Sequence, residues 1–207
     1  MARAYNNEQR AEAARETRAR ILAAAYELLT HASYASFSIA ALADKAEVSP
    51  QTIYNSIGGK SVVLKACYDV TLAGDDEPVA MSDRPQFRAM FAAADGRAFV
   101  KAYAEWCRVV SERVGPILAP LYAAGDERGV GEFFDTVERE RRIGTTGAIT
   151  ALHDRHGLRE GLELAPAIDA VWTLNSPEVW DRLTRRCRWT AAAYQSWIER
   201  QFRAALL

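Results

Sequence analysis

Cysteine is scarce and scattered. The 207-residue chain has three, Cys67, Cys107 and Cys187, and none forms a Cys-x-x-Cys pair. Neither a disulfide framework nor a thiolate metal site is spelled out. Long apolar runs are missing too: no stretch approaches the ~20 residues of a membrane-spanning helix. With no leader-like segment, the expectation is a cytoplasmic protein with free thiols and no membrane partner. There is no Gly-rich phosphate loop, no Gly-x-Ser-x-Gly elbow and no zinc spacing. His153 and His156 stand three apart without an evident third ligand. No enzyme activity is therefore expected, with no catalytic residue, no cofactor and no metal. Surplus positive charge is also lacking, since 26 Lys and Arg face 27 Asp and Glu. That balance gives no global sign of a nucleic-acid partner. Residues 1–65 alone hold eight basic and six acidic groups, the excess lying at Arg3, Arg10, Arg15, Arg18 and Arg20. A dimer would double this local charge.

Stretches of strict apolar–polar alternation are absent as well, so strands are not expected. What is present is helical periodicity. After a polar arm at 1–9, a first long helix is expected over Glu8–His31, with Ile21, Leu22, Ala25, Leu28 and Leu29 inward. A helix from residue 59 or 60 to about 73, with Val62, Val63, Ala66, Cys67 and Val70 on its apolar side, ends at Gly74. The acidic, turn-rich segment 74–85 marks a boundary between residues 1–73 and 74–207. Beyond it, helices are expected at 86–94, 97–113 and 117–124, the last two separated by a break at Gly115-Pro116. A loop at 125–131 precedes a helix at 132–156, where Ile143 is counted among the apolar positions. Pro166 and Pro177 each open a helix at its first position, and the last helix runs 191–206. The reading is all-α, with nine or ten helices.

One stretch carries chemistry. Ser38–Lys60 reads as two short helices joined by a turn at Glu47-Val48, with a third following at once. Ser38 and Ser49 are placed as N-caps. Ile39, Leu42, Val48, Ile53 and Ile57 form the inner side, and Gln51, Thr52, Tyr54 and Asn55 are left outside. A helix too short to be stable alone that turns polar and aromatic groups outward fits a helix-turn-helix, whose second helix enters the DNA major groove. Gln51 and Thr52 would then face base edges, Gln matching adenine and a Thr methyl matching thymine. Tyr54 and Asn55 would hold phosphates. Lys60 stands at a helix N-terminus, where phosphate is already attracted. Ser38 and Ser49 would add phosphate contacts.

Leu42-Ala43, Val48-Ser49, Thr52-Ile53-Tyr54-Asn55 and Gly59-Lys60, at these separations, resemble the DNA-binding signature of the TetR family of bacterial transcriptional regulators. The resemblance covers roughly residues 15–70 and supports the roles of Thr52, Tyr54 and Lys60. Ser33 and Glu47 depart from it, since family members usually carry Gly there. It implies an N-terminal helix-turn-helix domain at 1–73, including a linking helix at 59–73. It also implies a larger effector-binding and dimerisation domain at 74–207, whose small-molecule pocket releases DNA when filled.

Tyr103, Trp106, Tyr122, Phe133, Phe134 and Trp172 could line such a pocket, with Arg113, Glu138 and Arg141 as its polar groups; aromatic residues at helical spacing equally suit a plain core. The resemblance further implies pairing as a four-helix bundle, for which Ile168, Val171, Tyr194, Trp197, Ile198 and Phe202 are the candidate dimer interface. The function expected is a homodimeric regulator, most simply a repressor released from a double-stranded, palindromic operator by an unknown small-molecule effector. A regulator without effector, and a helical binding protein or enzyme with a vestigial motif, are the alternatives.

Overall fold

A computed structural model describes residues 2–125 and 129–207; the middle of the expected loop at 125–131 lies outside them. Every regular element among these residues is helical. In chain order they are α1 (Ala2–His31), α2 (Ile39–Ala46), α3 (Pro50–Ser56), α4 (Lys60–Ala73), α5 (Pro85–Phe91), α6 (Gly96–Ala124), α7 (Val130–His156), α8 (Leu164–Leu174), α9 (Pro177–Asp181) and α10 (Ala191–Leu206). The chain divides into two compact units, Met1–Asp76 with Pro116–Phe133, and Glu77–Gly115 with Phe134–Leu207.

In the first unit α1 supplies Ile21, Leu22, Ala25 and Leu29 to a core completed by Leu42, Ala43, Ile53, Val63, Leu64 and Cys67. The inner face of α4 is Val63, Leu64, Cys67 and Tyr68. Val62, expected on that face, lies a third of a turn away and is 50% exposed. Tyr68 meets Phe133 edge-on at 5.4 Å. In the second unit α8 and α10 pack together. Their core includes Phe99, Tyr103, Ile149, Leu152, Val171, Tyr194, Ile198 and Phe202. Ile143 is not part of it and is 68% exposed. The buried side of α7 here is Thr145, Ala148, Ile149 and Leu152, which turns position 143 outward.

The expected break at Gly115-Pro116 is not there, since α6 runs through both Pro116 and Pro120. A proline inside a helix removes a hydrogen bond and crowds a carbonyl. Burial of Val114, Ile117, Leu118 and Leu121 along this stretch offsets that cost. Gly115 has a steric reason of its own: a Cβ there would lie 2.9 Å from Trp180 Nε1. Pro166 is also not at a first position, because α8 begins at Leu164. It falls in the first turn, whose N–H groups have no helical partner. Ser176 and Pro177 do open α9 as expected, Ser176 Oγ accepting from Val179 N at 3.4 Å. The helix continues through a π-turn at Arg182–Arg186.

The two departures from glycine have different outcomes. Ser33 has φ −78° and carries no strain. Glu47 is left-handed, with φ 54° and ψ 46°, and a side chain in that region costs roughly 1–2 kcal/mol. Glycine gives part of that back as unfolded-chain entropy. Glu47→Gly should therefore raise the free energy of unfolding by about 1 kcal/mol, measurable by urea denaturation.

Cys67 and Cys107 are buried and Cys187 is exposed. Burial pushes the Cys67 and Cys107 thiols up to about 12. One thiol per chain should react at once with a chromogenic disulfide reagent at pH 8, and the other two only on unfolding. The neutral thiols favour the folded state fully below their unfolded value near 9. That contribution should disappear as pH rises from about 9 to 12, which urea titrations across this range would register.

Candidate nucleic-acid interface

The bend between α2 and α3 is built from local bonds. Ser38 Oγ accepts from Ala41 N at 3.1 Å and starts α2. The left-handed Glu47 stops it, with Val48 N donating to Ala43 O at 3.0 Å. Ser49 Oγ accepts from Thr52 N at 3.1 Å and Pro50 takes the first helical position. Leu42 on α2 and Ile53 on α3 are both fully buried. Their burial fixes which side of α3 remains outside.

On that outer side Gln51 and Asn55 are exposed and Tyr54 is 53% exposed. Thr52 is half-buried, and its hydroxyl lies 2.8 Å from Ser49 Oγ. That bond occupies the Thr52 oxygen with the cap. Gln51 Nε2 donates to Asn55 Oδ1 at 2.9 Å, one helical turn on. Gly58, at φ 138°, lets the chain turn sharply from α3 into α4, and Val62 fills the space beside it. The N-cap of α4 is Gly59, which offers no side-chain oxygen to its first N–H groups. Lys60 Nζ sits 3.9 Å above the centre of the Tyr34 ring and donates to Tyr34 O at 3.3 Å. Nothing in the spacing of the sequence pointed to Tyr34 as its neighbour, since 26 residues separate them. Ser38, Ser49, Gln51, Thr52, Tyr54, Asn55 and Lys60 thus fall on α2, α3, their caps and the start of α4.

Of the expected pocket residues, Tyr122 and Phe133 belong to the first unit, and Tyr103, Trp106, Arg113, Phe134, Glu138, Arg141 and Trp172 to the second. Trp106 packs edge-on against Phe87 at 6.0 Å. Arg141, Glu138, Trp172 and Tyr103 come together around Asn175, which the sequence marked only as part of the Asn175-Ser176-Pro177 start of the next helix. Arg141 Nη1 donates to Asn175 Oδ1 at 2.6 Å and to Asn175 O at 3.0 Å. Its Nη2 donates to Trp172 O at 3.0 Å and to Glu138 Oε2 at 3.2 Å, while Nε donates to Glu138 Oε1 at 2.9 Å. Asn175 Nδ2 in turn donates to Tyr103 OH at 3.2 Å and lies 3.9 Å from Cys107 Sγ. Burial raises the Tyr103 phenol above its ordinary value, so it enters this network as a neutral group.

The candidate dimer residues are largely taken up by the chain's own core. Val171, Tyr194, Ile198 and Phe202 are fully buried and Ile168 is 7% exposed. Phe202 stacks on Tyr103 at 5.5 Å and Tyr194 meets Trp180 edge-on at 4.7 Å. Trp197 is half-buried, 6.3 Å from Trp189. The apolar faces of α8 and α10 pack against each other within the chain, and Trp197 keeps part of its ring at the surface.

No helix among the described residues is long and apolar enough to cross a membrane. Residues 21–67 match the family model for bacterial regulatory proteins of the tetR family. The chain is 25% identical over 154 residues to an uncharacterized HTH-type transcriptional regulator, YdeS, of Bacillus subtilis strain 168, covering 73% of this chain and 72% of that protein. Two solved structures share the fold. The fatty acid degradation regulator FadR from Bacillus halodurans aligns with TM-score 0.66 at 13% identity, over 89% of this chain and 93% of that one. A protein assigned as a transcriptional regulator from Pseudomonas aeruginosa PAO1 aligns with TM-score 0.65 at 16% identity, over 89% and 87%. The matched segment contains the whole bend from Ser38 to Lys60, so the chain carries the DNA-binding segment of the TetR family of bacterial transcriptional regulators.

Proposed function

We propose that this regulator is a cytoplasmic, homodimeric repressor that binds a palindromic operator through α3 and leaves it when a small molecule binds to residues 74–207. The observation that carries the reading is the two-sided α3. Ile53 anchors it at zero exposure while Gln51, Tyr54 and Asn55 stand outside. A seven-residue helix is not stable by itself, so this one is held out by its neighbours.

In this reading Gln51 pairs with an adenine edge and the Thr52 methyl touches a thymine methyl. Tyr54, Ser38 and Ser49 bind phosphate, and Lys60 adds its charge at the α4 N-terminus. A dimer would use the outer faces of α8 and α10, where Ala165, Asp169 and Thr173, and Ala192, Ser196 and Arg200, are exposed at four-residue intervals. A two-fold axis would then present two copies of α3 to half-sites about 34–36 Å apart. An effector would shift the population toward the form that binds DNA less well, by its differential affinity alone.

Selection of DNA fragments by the purified protein, followed by a screen of small molecules for release, tests the reading. Enrichment of a palindrome whose binding weakens steeply with salt is the expected result. Failure to enrich any sequence would refute the DNA-binding function, and a palindrome that no compound releases would refute effector control.

A further inference from the structure

We infer that Asn55 is a positioning residue: it acts through Gln51 rather than on a phosphate, and so sets the base preference of the half-site. The inference rests on the reading of α3 as the base-contacting helix. Gln51 and Asn55 are one turn apart on the exposed side of α3, joined by the 2.9 Å bond from Gln51 Nε2 to Asn55 Oδ1. A glutamine amide has two N–H donors and one oxygen with two lone pairs. Binding Asn55 uses one N–H and holds the amide plane.

What remains is the other N–H next to Oε1, a donor beside an acceptor. Adenine presents the complement in the major groove, with N7 accepting and N6 donating, whereas guanine presents two acceptors. The bonded arrangement therefore favours adenine over guanine. The opposite arrangement, with the Asn55 amide donating to Gln51 Oε1, would leave two donors on Gln51 and favour guanine. Thr52 does not compete for the Gln51 amide, because its hydroxyl is engaged with Ser49 Oγ at 2.8 Å.

The test compares full-length wild type, Gln51→Ala, Asn55→Ala, Asn55→Asp and the double alanine variant. Each is titrated against fragments selected by wild type, with every half-site base pair changed in turn at one salt concentration. Wild type should prefer adenine at one position by about tenfold or more, the range expected of a bidentate pair. Gln51→Ala should lose that preference. Asn55→Ala should weaken it at the same position only, and the double variant should match Gln51→Ala. Asn55→Asp keeps the acceptor for Gln51 Nε2. It should therefore keep the adenine preference as a ratio, even though its charge lowers affinity for every fragment. If Asn55→Ala weakens all fragments equally and adds to Gln51→Ala, Asn55 is a backbone contact and the inference is wrong. Guanine at the Gln51 position also overturns it. If wild type selects no sequence, the DNA-binding function fails and the inference falls with it.

Discussion

Replacing Gln51, Thr52 and Lys60 together by alanine should lower operator affinity by about two to four orders of magnitude. A bidentate side chain–base pair contributes about 1–3 kcal/mol of discrimination, and each 1.4 kcal/mol is about tenfold in affinity. In the proposed reading Gln51 and the Thr52 methyl would supply the base-dependent part. Lys60 would supply charge, so removing it should also flatten the dependence on salt, by roughly 0.9 in logarithmic slope for each phosphate no longer neutralised. In a dimer each substitution occurs twice. Fluorescence anisotropy at several salt concentrations reads both effects, and an affinity within threefold of wild type would reject the assignment. Folding must be followed alongside, because Lys60 Nζ lies over the Tyr34 ring, an interaction worth about 0.5–1 kcal/mol at such a site. Gln51 is exposed and Thr52 is half-buried, so neither removes core packing. A thermal midpoint only slightly lowered, with binding abolished, separates a defect in DNA recognition from a defect in folding.

Arg141→Ala should lower the free energy of unfolding by about 2–4 kcal/mol, the cost of leaving buried polar groups without partners. The Arg141 side chain is 15% exposed. Its fork holds Asn175 Oδ1, Asn175 O, Trp172 O and both oxygens of Glu138. Trp172 O and Asn175 O are carbonyls at the C-terminal end of α8, where the helix dipole favours a cation. Asn175 also reaches Tyr103 OH, so Arg141 stabilises a bond it does not itself make. Lysine has the charge but not the planar fork. Arg141→Lys should recover only part of the loss. Urea denaturation of the three proteins measures both steps, and a loss below about 1 kcal/mol in the alanine variant would mean that water replaces the guanidinium.

Part of this architecture was legible because its physics is local. The caps at Ser38, Ser49 and Ser176 close bonds three residues on, and Gly74 ends α4 at φ 89°. Such bonds are written within a few neighbouring residues, so spacing suffices to find them. The departure from glycine marked Ser33 and Glu47 alike, and only the backbone separates them: Ser33 has φ −78° and Glu47 φ 54°, where glycine alone is free of cost. Proline and glycine misled where packing outweighs local preference. Pro116 suggested an end to a helix that burial carries onward. Gly115 reads as a breaker, yet its reason is the Trp180 ring, 65 residues on in the chain.

The candidate sites divide in the same way. By itself the sequence determined the all-helical class, the helix-turn-helix and the polar residues on α3, because periodicity and caps act over single turns. Only the tertiary structure decided which faces of α8 and α10 are free. An apolar stripe has the same spacing whether it meets its own chain or a second copy. Ile198 and Phe202 meet their own chain, at zero exposure. Tertiary structure likewise set Lys60 over Tyr34 and Arg141 on Asn175. Those partners lie 26 and 34 residues away, and pairing at such separation is chosen by packing and leaves no mark in the spacing of the residues involved.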